Sequence, residues 1–319
     1  MCAEHLRVAV LVPPRSDAAR PDQDDTYVQA DEVSACLAQL GHTAIEAEYA
    51  DHGEATAQTL GAIRPDVVVN LVEEVPEGPD QLHRVTALLE RLGYRYTGAR
   101  TAAIAATGRK LDMKRRLREA GLPTPPLLDE APPRSRFIVK SGLEHASLGL
   151  DDHSVVIGAD AARRLIAEKV AAFGGPWFAE AYVEGREFDV GMIEIDGGVR
   201  TLPPAEILFT GHDNGRPRIF NYASKWDEGS DSFEATPRVF PPRETPLFDE
   251  LERIALAAWH LFGINGCAHV DFRVDAAGRP SVLEVNANAC LTADAGYALA
   301  AAEIGLTQAD IVAAMLAAA

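Results

Sequence analysis

The chain has 319 residues, with 30 Lys and Arg against 48 Asp and Glu and a net charge of -18. That surplus of acid argues against nucleic acid, an anionic membrane or an acidic carrier protein as a main partner, because each needs a basic footprint. A hydrophobic content of 47% and a charged content of 24% describe a globular chain, long enough for two or three compact domains.

The first hundred residues alternate strand and helix signals. "LRVAVLV" reads as an apolar strand, and a helix beginning near Tyr27 buries Val33, Cys36, Leu37 and Leu40 before Gly41 stops it. "TAIEAEY", a short helix, "DVVVNL", a helix over residues 80–92 and "YRYTG" follow. This βαβ order predicts a parallel sheet with helices on both faces over residues 1–100, with ligands beyond the strand ends at "VPPRSD" and "NLVEEVPEG". The N-terminal apolar run is too short for a signal-peptide core, and no stretch approaches the ~18 apolar residues of a membrane span. Cys2, Cys36, Cys267 and Cys290 form no CxxC and no zinc spacing, so a reducing cytoplasm is expected.

A second unit, residues 101–184, holds the helix of "KLDMKRRLREAGLPTPP", strands "RFIVK" and "SVVIG", a helix over 160–173, and "WFAEAYV". A third, residues 185–319, opens with strands turning at Asp196, Gly197 and Gly198 and continues to a helix over 245–262 that stacks Leu247, Leu251, Ile254, Ala258 and Leu261. The Ala-rich tail reads as two short packed helices. Both later units are expected to be α+β lobes.

"VDFRVDAAGRPSVLEVNANACLT" predicts a hairpin, from alternating Ala268, Val270, Phe272 and Val274, a Gly/Pro turn, and Leu283 and Val285. If Val274 pairs with Ser281, Asp271 lies opposite Glu284 and His269 opposite Asn286, all on one face. Carboxylates so placed repel unless neutralised, and two of them with an amide oxygen suit Mg²⁺. The plain alternative is a solvated hairpin face with Arg273 as counter-charge. Lys140, at a strand end before "SGLEHASLGL", can bring an ammonium and backbone N–H groups to phosphates. Lys225 in "NYASKWDEG" and Lys110 in "GRKLDMK" read by default as surface lysines. The turn between Glu180 and Glu187 can offer backbone groups to an adenine edge and a carboxylate to ribose hydroxyls; otherwise it is an exposed hairpin turn.

Taken in order, these segments resemble the ATP-grasp superfamily, in its D-alanine:D-alanine ligase-like branch, along nearly the whole chain. "GYRYTGARTAAIAATGRKLDMKRRLREAGLPTPP", "FIVKSGLEHASLGLD", "EAYVEGREF", "NYASKW", "VDF" and "LEVNANACLT" each look like one of that branch's motifs. The resemblance implies a three-domain ATP-grasp fold holding nucleotide between the second and third domains, and a possible homodimer. It implies ATP binding by Lys110, Lys140, Glu144, Ser147, Glu180, Ala181, Val183, Glu187 and Lys225. Asp271, Glu284 and Asn286 would hold Mg²⁺. The reaction implied joins a carboxylate to an amine, both small molecules, through an acyl phosphate, with Lys225 and His269 as catalytic candidates and His269, Cys290, Leu291 and Trp226 on the substrate.

Departures fall on the amino-acid side. His269 stands where the family has an arginine that grips the carboxylate, and a neutral imidazole makes no bidentate contact. Ala289 and Cys290 replace Pro and Gly, Trp226 replaces Tyr, and Glu144, His145, Ala146 and Ser147 replace Glu, Gly, Ser and Ser. A substrate pair other than two D-alanines is therefore expected. Two alternatives stay open: a nucleotide-binding protein without ligase chemistry, and a thiol acyltransferase with Cys290 as nucleophile and His269 as base.

Overall fold

The computed structural model describes residues 5–15, 21–143, 147, 149–211, 215–227 and 229–319. Strands β1 (Arg7–Val12), β2 (Thr43–Glu48) and β3 (Val67–Asn70) form a parallel sheet in the order β2-β1-β3, interleaved with α1 (Pro21–Gln39), α2 (Glu54–Ile63) and α3 (His83–Leu92). β1 is apolar throughout because a central parallel strand is covered on both faces. Val8 and Val10 meet Val33 and Leu37 of α1, while Ala9 and Leu11 meet Leu60 of α2 and Leu89 of α3. α1 starts at Pro21, ahead of the expected Tyr27, with proline at a first position that has no N–H to satisfy. "YRYTG" gives only one parallel bridge, Val68 with Tyr96, since Thr97 Oγ1 accepts the Asn70 N–H in place of a strand carbonyl.

After α4 (Thr101–Thr107) and α5 (Lys110–Glu119), β4 (Arg136–Ser141), β5 (Val155–Ile157) and β6 (Trp177–Ala181) make an antiparallel sheet, β5-β4-β6. It is backed by α6 (Ala159–Phe173) through Phe137, Val139, Ala162 and Ala179. The largest sheet takes β7 (Gly185–Ile195), β8 (Gly198–Thr201), β9 (Ala205–Ile207), β10 (Arg238–Val239), β11 (Cys267–Asp275) and β12 (Pro280–Asn286), in the order β10-β9-β7-β11-β12 with β8 on β7. Helices α7 (Tyr222–Trp226) and α8 (Asp231–Glu234) precede β10, and α9 (Leu247–Phe262) follows it. α10 (Gly296–Ala302) and α11 (Gln308–Ala318) close the chain.

The main core lies under this sheet, where Phe188, Val190, Phe272 and Val285 meet α9 through Leu251, Ile254 and Ala258 and meet α4 and α5 through Ala103, Ile104, Met113 and Leu117. α11 packs against α1 and β7, burying Ile311, Val312 and Met315 beside Val33, Leu37 and Ile193. Residues 122–128 then run as a strap from one sheet edge to the other. The Val282 N–H donates to Pro123 O at 2.8 Å, the Ala181 N–H to Pro126 O at 2.8 Å, and the Leu128 N–H to Ala179 O at 3.0 Å.

Asp271 pairs with Glu284 and His269 with Asn286 across β11 and β12, as the alternation requires. The turn end is one residue out, with Val274 opposite Pro280, and a bulge at Leu283 restores the register. Gly185 lets β7 close on β11: a Cβ there would fall 1.9 Å from Val274 O. Among the described residues no helix is long and apolar enough to cross a membrane.

Candidate active site

A cleft of about 740 Å³ opens between the β4–β6 sheet and the β7–β11–β12 face. β4 and β6 bring Lys140, Glu180 and Ala181 to it, with Val183 just beyond and Ser147 and Leu150 from the loop after β4. The opposite wall is Glu187, Asp271, Arg273, Leu283 and Glu284, and Lys110, Phe220 and Lys225 complete the lining. Ten residues chosen from the sequence therefore share one cavity: Lys110, Lys140, Ser147, Glu180, Ala181, Val183, Glu187, Lys225, Asp271 and Glu284.

Strand pairing builds a row of acids, of which Asp271 and Glu284 line the cleft. Asp189 of β7 lies opposite Asp271 of β11, which lies opposite Glu284 of β12. Ligand atoms of Asp189, His269 and Asp271 lie within 4.8 Å of one another, and His269 Nε2 is 3.6 Å from Asp271 Oδ1. Burial above all, with Asp189 and Glu284 beside it, pushes the Asp271 carboxyl up to about 7 against the pull of His269 and Lys225. Lys110 Nζ sits 3.2 Å from Glu284 Oε2. Crowded hard-oxygen donors of one sign are what a divalent cation such as Mg²⁺ satisfies, so this donor set fits it.

The β4–β6 wall carries an ion triad with α5. Glu180 has no solvent exposure, and its carboxylate meets Lys114 Nζ at 2.6 Å and Lys140 Nζ at 2.7 Å. Lys114 is sealed as well and donates to Thr124 Oγ1 at 3.0 Å, while Thr124 Oγ1 donates to Val282 O at 2.9 Å. Two cations around one carboxylate explain opposite fates. The lysines hold Glu180 below its usual range despite burial, whereas burial, with Lys140 nearby, lowers Lys114 to about 8 even against the pull of Glu180. The Glu180 side chain is thus committed to lysines, and only its backbone is left for a ligand. Arg273 is no solvated counter-charge: it is buried, pairs with Glu187 at 2.8 Å, and lies over Phe209 and Tyr182. Ser147 holds a left-handed φ of 60° and donates from Oγ to Phe220 O at 3.3 Å, tying the loop after β4 to the opposite wall.

Other sequence candidates lie outside the lining. His269 neighbours Asp271 without facing the cavity, and Asn286 Oδ1 accepts the Asn288 N–H at 2.9 Å. The Leu291 N–H donates to Gln29 Oε1 of α1 at 2.6 Å. The Trp226 indole N–H is buried with no hydrogen-bond partner among the described residues. Glu144 lies outside the described residues. Cys290 Sγ contacts Asp25 Oδ2 at 3.1 Å and Thr292 Oγ1 at 3.2 Å, and burial, with Glu73 and Asp25 near, pushes the thiol well above its ordinary value. A thiol so held is a poor nucleophile. Sequence reasoning missed Lys114, Asp189 and the pairing of Arg273. Only Asp189 left a signal, two residues from Glu187 on a strand whose other face is Phe188, Val190 and Met192.

Residues 136–317 match the family described as the D-ala D-ala ligase C-terminus. A D-alanine–D-alanine ligase of Moorella thermoacetica is 29% identical over 334 residues, covering 96% of this chain and 97% of its own. The protein y4sG of Sinorhizobium fredii is 28% identical over 299 residues, covering 89% and 84%. The crystal structure of the Bacillus anthracis D-alanine–D-alanine ligase complexed with ATP superposes with a TM-score of 0.76 over 98% of this chain and 97% of that one, at 18% identity. The chain belongs to the D-alanine–D-alanine ligase family of ATP-grasp enzymes, carboxylate–amine ligases that form carbon–nitrogen bonds with ATP and Mg²⁺.

Proposed function

We propose that the cleft binds MgATP and activates a small amino-acid-like carboxylate for attack by an amine, on a pair other than two D-alanines. Adenine packs against the backbone of Glu180, Ala181 and Val183, and ribose hydroxyls meet Glu187, whose carboxylate Arg273 already holds in place. Lys110, Lys140 and Lys225 converge on the phosphates, with the backbone at Ser147 above them. Asp271, Glu284 and Asn286 would hold Mg²⁺, which when bound neutralises charge on the phosphoryl oxygens.

The substrate carboxylate attacks the γ-phosphorus, the bond to the ADP oxygen breaks, and an acyl phosphate results. The amine lone pair then adds to the acyl carbon, and inorganic phosphate leaves as the amide forms and the nitrogen loses a proton. In the first step negative charge spreads over the transferring group, where Lys225 and its neighbours lower the barrier. His269, beside Asp271 and just outside the cleft lining, would donate a hydrogen bond to a substrate oxygen that extends past Asp271. An imidazole offers one such bond where a guanidinium offers two, which argues for a carboxylate other than that of D-alanine.

The observation carrying this reading is the pair Asp271 and Glu284, with Asp189 beside Asp271, in a cleft whose lining also holds Lys110, Lys140 and Lys225. A phosphate-release screen over paired carboxylates and amines, with mass spectrometry of the products, tests it. ADP, phosphate and an amide should appear together for some pair, and ATP with D-alanine alone should release phosphate no faster than ATP without it. Robust D-alanyl-D-alanine formation would overturn the choice of substrate.

A further inference from the structure

On the face that carries the acid row, β7 sets out Glu187, Asp189 and Gly191, β11 sets out Arg273, Asp271 and His269, and β12 adds Glu284 and Asn286. Several of these side chains already have partners. Glu187 pairs with Arg273 at 2.8 Å, Glu284 has Lys110 Nζ at 3.2 Å, and Asn286 Oδ1 accepts the Asn288 N–H at 2.9 Å. Asp189 and His269 differ. Among the described residues the Asp189 carboxylate has no hydrogen bond and no ion pair. The His269 ring has only Asp271, with Nε2 at 3.6 Å from Oδ1, beyond hydrogen-bond reach.

Three donors therefore meet with little to satisfy them. Ligand atoms of Asp189, His269 and Asp271 lie within 4.8 Å of one another. Donors bound to one ion at about 2.1 Å stand roughly 3 to 4 Å apart, so the His269–Asp271 spacing already fits and the widest gap must close by less than about an ångström. Asp189 and Asp271 are directly opposite on neighbouring strands, where like charges repel unless a cation sits between them. All three residues are partly exposed, which leaves an ion a way in. Beyond His269 the row ends in apolar atoms: Gly191 is its cross-strand partner, and a Cβ on Gly191 would meet Leu202 Cδ1 at 2.8 Å and the Tyr297 ring at 3.2 Å.

We propose that Asp189, His269 and Asp271 bind a second divalent ion, a first-row transition metal, beside the Mg²⁺ seat of Asp271, Glu284 and Asn286. The donors separate the two seats. One is all oxygen, as Mg²⁺ prefers, whereas the other adds an imidazole nitrogen, which suits transition metals. Asp271 has two carboxylate oxygens and serves both. Asp271 lines the cleft while Asp189 and His269 do not, so the second ion sits at the cleft's edge. Three protein ligands leave positions open for water or a substrate oxygen. With the ion bound, it takes over the substrate contact assigned above to the imidazole. The inference rests on the proposed function for that contact alone, since the ion needs no nucleotide.

Pulsed electron paramagnetic resonance of Mn²⁺, added to the metal-free full chain in excess Mg²⁺, tests this without turnover. The Mn²⁺ signal should carry the modulation of one imidazole nitrogen and change to the ¹⁵N pattern in protein labelled at histidine. His269→Asn should abolish it. Asp189→Asn should weaken Mn²⁺ binding about tenfold or more, since losing even a group that only orients a metal ligand costs that much. Glu284→Gln, which alters the all-oxygen seat, should leave the nitrogen modulation in place. Absence of nitrogen modulation in the wild type, which needs no variant to fold, overturns the proposal. So do modulation that survives His269→Asn, unchanged affinity in Asp189→Asn, and modulation lost in Glu284→Gln, which would mean a single shared ion. A protein that shows the nitrogen ligand yet fails to bind MgATP would keep this ion and lose the function proposed above.

Discussion

Lys114 has no solvent exposure and reads in sequence like Arg115, Arg116 and Glu119 beside it in "KRRLRE", which face water. Nothing local distinguishes it, because its burial is created by β6, β12 and the 122–128 strap, all distant in the chain. Lys114→Met leaves Glu180 sealed with Lys140 alone and should cost about 3 kcal/mol in urea unfolding at neutral pH, in the range for breaking a buried pair. A cost below about 1 kcal/mol, the value of a surface pair, would contradict this. The pH dependence has a definite sign. Burial holds Lys114 at about 8 against an ordinary 10.5, so over that interval the unfolded chain keeps a proton the folded chain has lost. This group therefore makes the fold gain stability as pH climbs from about 8 to 10.5, and Lys114→Met should remove that rise. Cys290 shows the converse. Its sequence position invited a nucleophilic role, yet it contacts Asp25 and Thr292 and is pushed away from the thiolate form. Cys290→Ser should keep measurable turnover, and near-complete loss would revive the thiol reading.

Strands were the legible elements, since a period of two survives without knowledge of partners. The β11–β12 hairpin was readable down to the pairing of Asp271 with Glu284, although the turn end was misplaced by one residue because a bulge carries no alternation signal. Asp189 joined the acids only when β7 became the partner of β11, a pairing across about 80 residues that no local pattern encodes. The contact at Gly185 is equally non-local. Gly185→Ala puts a methyl 1.9 Å from Val274 O, so β7 must lift from β11. The expected cost is about 3 kcal/mol or more, as for other backbone-level clashes, together with weaker ATP binding because Glu187 starts on that strand. Unfolding and nucleotide titrations that match the wild type would show that the two strands tolerate separation.

At the scale of the molecule, the motifs common to the family were readable because phosphate, ribose and metal impose similar donors on every member. The surroundings of Cys290 and Leu291 were not, because they meet Asp25 and Gln29 of α1 only in the fold. The central claim is that the acid row exists to hold a divalent ion against nucleotide. Without metal, Asp189, Asp271 and Glu284 repel one another, so Asp271→Asn should raise the unfolding temperature of the ligand-free protein. With MgATP the order should reverse, because a bound ligand stabilises only the chain that retains its site. Thermal unfolding of wild type and Asp271→Asn, with and without MgATP, is the most direct measurement: a more stable free variant that gains nothing from MgATP is the expected result, and a variant stabilised by MgATP as much as the wild type would contradict it.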